Sequence, residues 1–162
     1  MSFYHPTNAS QTNSISNSVQ TIILVRHAEK SPDGGLTQQG KKRAKILAKI
    51  LSDTKIEKIY STETLRTQQT VTPTAKTHDI PITLYNSNQE LSTELKRQMR
   101  EHSNDKTILI VGHSNTIPNL IYQLGGPSLE DIDESVFDNL FILQVSSQTT
   151  HCLHLHYPET RL

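Results

Sequence analysis

From Thr21 onward, short runs of apolar and mostly β-branched residues alternate with longer stretches in which apolar positions return every third or fourth residue. The short runs read as buried strands and the longer stretches as amphipathic helices, so their alternation predicts a parallel or mostly parallel sheet covered by helices. Strands are expected at residues 21–26, 56–61, 82–84, 107–111, 140–145 and 152–157. Within residues 36–53, Ala44, Leu47, Ala48 and Leu51 repeat at helical spacing, and Thr37 is placed to cap the start. The lysines of that helix and Arg43 are interrupted by Ala, Ile and Leu, which marks a solvated face rather than a basic binding patch. Three further helices are expected at 63–77, 88–101 and 115–124. Residues 1–20 are rich in Ser, Asn, Gln and Thr and nearly free of aliphatic side chains, too little to offset the entropy of ordering. They are expected to be a disordered tail before a single domain at 21–162.

Charge and cysteine content then exclude several classes of partner. Lys+Arg 16 balances Asp+Glu 16, so no overall field favours a polyanion, and nucleic acid is not an expected partner. No apolar stretch is long enough to span a membrane, and the first residues lack the apolar core of a signal peptide. The one cysteine, Cys152, cannot form an intrachain disulfide. A cytoplasmic protein is expected, and the sequence leaves its oligomeric state open.

The chemistry concentrates where strands end. "RHAEK" follows the strand at 21–26 and "GHSN" follows the strand at 107–111, so His27 and His113 meet if those strands are neighbours. "STETLRTQQT" follows the strand at 56–61 and sets Arg66 on the first turns of the next helix. Two arginines and two imidazoles would repel one another unless an anion filled the gap, and a guanidinium matches phosphate oxygens in a fork. The cluster therefore points to phosphate. It includes no carboxylate group suited to Mg²⁺, so no metal or other cofactor is expected.

Together "LVRHAEK", "GLTQQG", "STETLRTQQT" and "VGHSN" resemble the histidine phosphatase superfamily, the group that includes phosphoglycerate mutases. The resemblance implies a three-layer α/β/α sandwich around a mostly parallel mixed sheet, of the phosphoglycerate mutase-like kind. It makes His27 the nucleophile that accepts the phosphoryl group, with Arg26, Arg66 and His113 around it. Ser114 and Lys30 join Arg26, Arg66 and His113 as substrate-binding candidates. The short span between Arg66 and His113 leaves no room for a large inserted lid, which favours hydrolysis over mutase chemistry. The compact form resembles the phosphohistidine phosphatase-like branch, and the substrate is expected to be a phosphorylated small molecule or a phosphoprotein. A phosphoglycerate mutase-type phosphotransferase and a non-catalytic phospho-ligand module are the alternatives.

The general acid has two readings. By resemblance it is Glu90 in "YNSNQELSTEL", with Glu63 and Glu29 as weaker candidates. Ser87-Asn88-Gln89-Glu90 equally fits a capping box in which Glu90 binds the Ser87 amide. In "HCLHLH", Cys152, His154 and His156 share one strand face, and the pattern reads as an alternating strand with Leu153 and Leu155 turned inward rather than as a metal site. Asp133 and Glu134 read as an acidic loop rather than as part of the pocket rim.

Overall fold

The elements follow one another as β1 (Gln20–Arg26), α1 (Gln38–Ile50), β2 (Lys58–Ser61), α2 (Leu65–His78), β3 (Ile82–Leu84), α3 (Asn88–Glu101), β4 (Lys106–Gly112), α4 (Thr116–Gln123), β5 (Asn139–Val145) and β6 (Thr150–His156). The computed structural model describes residues 18–101 and 106–157, so the expected tail lies outside the described residues except at its last three positions. Gln20, the last of those three, already belongs to β1. The other predicted strands and helices are present with ends displaced by a residue or two. Thr37 caps α1 as expected, its side chain accepting from the Gly40 amide at 3.0 Å.

The strands form one sheet in the order β3-β2-β4-β1-β5-β6. β1 to β4 pair in parallel, and β5 and β6 run antiparallel to their neighbours. β1 and β4 occupy the middle, where both faces are covered, which is why their sequences are continuous apolar runs. Ile22, Leu24, Ile108 and Ile110 face α3 and α4 through Leu91, Leu95, Ile117 and Leu120. Ile23, Val25, Leu109 and Val111 face α1 and α2 through Leu47, Leu51, Val71 and Ala75. The result is the three-layer α/β/α sandwich. Among the described residues no helix is long and apolar enough to cross a membrane.

Two expectations about exposure are corrected. Arg43 is not on the solvated face of α1: it is only 6% exposed, and its Nε and Nη2 donate to Glu29 Oε1 at 2.9 and 2.6 Å. Leu153 and Leu155 do not turn inward, being 54% and 42% exposed. β6 is the sheet edge, and its covered face is the other one, where Cys152 packs against the core and His154 stacks on Phe141 at 4.4 Å. Among the described residues no group of three His, Cys, Asp or Glu side chains is arranged to hold a metal ion.

Candidate active site

The register of the two central strands sets the site. Arg26 pairs with Gly112, and the His27 amide continues the ladder by donating to the Gly112 carbonyl at 2.9 Å. His27 and His113 therefore leave adjacent strand ends together, with ring centroids 5.5 Å apart in an edge-to-face arrangement. Glycine at 112 is a packing requirement, since a Cβ there would stand 2.8 Å from Thr116 Oγ1 and 3.0 Å from the Tyr85 hydroxyl. The same Thr116 hydroxyl accepts from the His113 amide at 2.9 Å, so a side chain at 112 would disturb the turn that carries His113.

His27 is buried, and its Nδ1 lies 2.7 Å from the Ala28 carbonyl oxygen. A carbonyl can only accept, so Nδ1 carries the proton and Nε2 keeps its lone pair. Burial, reinforced by the nearby Arg26, Arg66 and His113, pushes the imidazole pKa down to about 4 despite the Ala28 hydrogen bond. The ring is thus neutral near pH 7.

The turn after His27 is held from α2. The Ala28 amide donates to Thr70 Oγ1 at 2.9 Å, and that hydroxyl donates to the Arg66 carbonyl at 2.8 Å. Thr70→Val conserves shape but leaves a buried amide without an acceptor, and it should cost about 1–3 kcal/mol in chemical denaturation. An unchanged unfolding midpoint would show that this turn does not depend on Thr70.

His113 is fixed by two partners. Arg66 Nη2 donates to its Nδ1 at 3.3 Å, so the neutral ring holds its proton on Nε2, which lies 2.9 Å from Thr62 Oγ1. Burial first, then Arg66 and Arg26, lowers its pKa. The Nε–H groups of Arg26 and Arg66 are both buried without an acceptor. Two orphaned guanidinium donors beside a neutral imidazole suit an incoming anion.

Arg26 is only 1% exposed and is wrapped by the loop before β5. Its Nη1 donates to the carbonyls of Asp133 and Val136 at 2.8 and 2.9 Å, its Nη2 donates to Glu134 Oε2 at 2.9 Å, and its guanidinium lies 4.4 Å from the centre of the Phe137 ring. Ser114 Oγ donates to Glu134 Oε1 at 2.6 Å, and Lys30 Nζ lies 3.6 Å from Oε2. The reading of Asp133 and Glu134 as a loop apart from the pocket is therefore corrected for Glu134, which sits on the rim. Only its acidic character hinted at this, because its partners lie far away in sequence. Glu29 is committed to Arg43 in a nearly buried pair.

Glu90 stands apart. It is exposed on the first turn of α3, and its side chain makes no contact with the His27 cluster. Its amide donates to Ser87 Oγ at 3.4 Å, but its carboxylate returns no hydrogen bond to the Ser87 amide. The capping box is half formed.

The comparisons agree with this architecture. A protein histidine phosphatase, SixA, solved with tungstate, superimposes with a TM-score of 0.70 at 15% identity, covering 84% of this chain and 96% of that one. Phosphoglycerate mutase from Plasmodium falciparum gives 0.62 at 18% identity, with 90% and 98% covered. A mycobacterial glucosyl-3-phosphoglycerate phosphatase gives 0.65 at 10% identity, with 86% and 98% covered. At these identities the likeness is one of fold, and the chain is an α/β protein of the phosphoglycerate mutase-like fold. The family model of the histidine phosphatase superfamily (branch 1) matches residues 22–94, a span that holds Arg26, His27, Arg66 and Glu90. Over that span the sequence is similar to that superfamily. No curated protein matches the sequence.

Proposed function

We propose that residues 21–162 form a phosphatase domain in which His27 accepts a phosphoryl group from a phosphohistidine or phosphomonoester and passes it to water. Neither metal nor cofactor takes part in this scheme. The observation that carries it is the state of His27: a neutral imidazole with Nδ1–H held by the Ala28 carbonyl and Nε2 without a protein partner, beside two arginines with unused Nε–H groups. Nε2 attacks phosphorus in line, an N–P bond forms, and the bond to the leaving group breaks. Arg26, Arg66 and His113, with Ser114 and Lys30 at the rim, stabilise charge on the equatorial oxygens, where most catalysis of phosphoryl transfer arises. Water then attacks the phosphohistidine and returns the imidazole. The solved SixA is a protein histidine phosphatase, which supports a phosphorylated protein among the substrates.

A phosphohistidine peptide, an aryl phosphate and 3-phosphoglycerate, each assayed with a chelator present, test the scheme. Turnover of the first two is expected. Phosphate binding without turnover of any of them would leave a binding module instead.

The pH profile follows from His27. With its pKa near 4, the nucleophile stays neutral well below the 6.5 of an ordinary histidine. Phosphoenzyme formation from an aryl phosphate, corrected for the substrate's own ionisation, should therefore hold through pH 5 and fall near 4. A fall centred on 6.5 would show an imidazole that titrates freely. Stability has the matching sign. The unfolded chain binds this proton before the folded protein does, so the contribution of His27 is undiminished above 6.5 and is lost as pH falls toward 4.

A further inference from the structure

A carboxylate already sits among the donors assigned to the phosphoryl group. Glu134 takes hydrogen bonds from Arg26 Nη2 and Ser114 Oγ and pairs with Lys30, three groups brought together from the end of β1, the loop after it and the turn before α4. The backbone beneath it is fixed by separate bonds. Arg26 Nη1 holds the carbonyls on either side, at Asp133 and Val136, and the Asp133 carboxylate accepts from the Ser135 amide at 2.8 Å. The Glu134 side chain itself is 66% exposed, as is much of Lys30. The loop is thus pinned and the carboxylate is its movable part.

We propose that Glu134 determines specificity: its carboxylate occupies the phosphoryl cradle of the free protein and, once displaced by a substrate's phosphoryl group, faces the leaving group. There it favours a protonated nitrogen leaving group over one that carries further negative charge. The proposal rests on the reading of the Arg26–His27 pocket as a phosphoryl site. A phosphoryl oxygen that takes Arg26 Nη2 and Ser114 Oγ removes both of the carboxylate's hydrogen bonds and repels it. With the backbone pinned, the side chain can only rotate outward, which keeps it at the mouth of the pocket. An imidazolium, ammonium or guanidinium leaving group meets an opposite charge there, whereas a carboxylate or second phosphate meets a like one. Rejection of anionic neighbours and recognition of basic ones then come from a single side chain.

Glu134→Gln tests this, because it keeps the side chain's length and polarity and removes its charge. The kcat/KM values for a phosphohistidine peptide and for 3-phosphoglycerate are each taken relative to p-nitrophenyl phosphate, and inorganic phosphate binding is measured by calorimetry. The phosphohistidine ratio is expected to fall and the phosphoglycerate ratio to rise, each by roughly three- to tenfold, the scale of a half-exposed charge pair. Inorganic phosphate should bind more tightly by a similar factor. Unchanged ratios would overturn the proposal, as would an equal loss on all three substrates, which would put Glu134 in the chemical step. Should the wild type turn over none of them, the hydrolase reading falls and the comparison moves to binding. The affinity for 3-phosphoglycerate relative to inorganic phosphate then rises in Glu134→Gln if the proposal holds and stays level if it fails.

Discussion

His27→Ala is expected to abolish turnover, with kcat on an aryl phosphate falling by about 10³-fold or more, the scale set by removal of a covalent nucleophile. The acid-labile phosphoenzyme should vanish with it. The reason is positional, since no other imidazole in the cluster has a free nitrogen: both ring nitrogens of His113 are engaged, by Arg66 and by Thr62. Nothing in the cluster can take over the attack without breaking those bonds. The loss is also expected to leave the phosphate site in place. Arg26 is anchored by the loop before β5 and Arg66 by α2, and neither anchor passes through the His27 ring. Phosphate binding by His27→Ala should therefore persist while turnover does not, and a melting temperature close to wild type would separate lost chemistry from lost structure. Undiminished turnover in this variant would end the assignment of His27 as nucleophile.

Most of the sheet was legible because its central strands are buried on both faces. Ile22–Ile23–Leu24–Val25 and Ile108–Leu109–Ile110–Val111 leave no polar position to suggest anything but interior strands. His27 and His113 stood out for a related reason, since a polar pair that directly follows such a run marks the end of a strand. That the two strands are neighbours was a condition rather than a reading, and the β1–β4 register supplies it. Pattern failed where the deciding partner was remote. Arg43 stands four residues before Leu47, at the flank of the apolar stripe, where its charge assigns it to solvent, and only its bonds to Glu29 and to the Tyr157 carbonyl explain its burial. Glu134 is separated from Arg26 by 108 positions, and local sequence cannot place it on a guanidinium. In β6 the period of two separates Leu153 and Leu155 from His154 and His156 but does not say which face is covered. The edge position decides that, with Cys152 packed against the core on one face and Leu153 and Leu155 exposed on the other.

Glu90→Gln is expected to slow hydrolysis of an alkyl phosphate by about 10²–10⁴-fold, the usual contribution of a general acid, and to spare phosphohistidine and activated aryl esters. Although Glu90 touches none of the cluster, its helix is tied to the same end of the sheet. Asn88 Nδ2 donates to the Thr116 carbonyl at 2.7 Å and to Asn119 Oδ1 at 3.1 Å, and the Thr116 hydroxyl holds the His113 amide. α3 therefore begins beside the turn that carries His113, and the expectation for Glu90 rests on that placement. The half-formed capping box makes the substitution clean. The Glu90 carboxylate accepts no hydrogen bond from Ser87, and the bond between the Glu90 amide and Ser87 Oγ does not involve the side chain that changes. Glu90→Gln thus removes a transferable proton and no structural contact, so its melting temperature should match wild type. A protonated imidazole departs from phosphorus without an acid, whereas an alkoxide does not, and for that reason the loss should sort by leaving group. Equal rates for the variant and wild type on the alkyl phosphate would take Glu90 out of the reaction. The substrate would then be one whose leaving nitrogen carries its own proton, a phosphohistidine or another phosphoramidate.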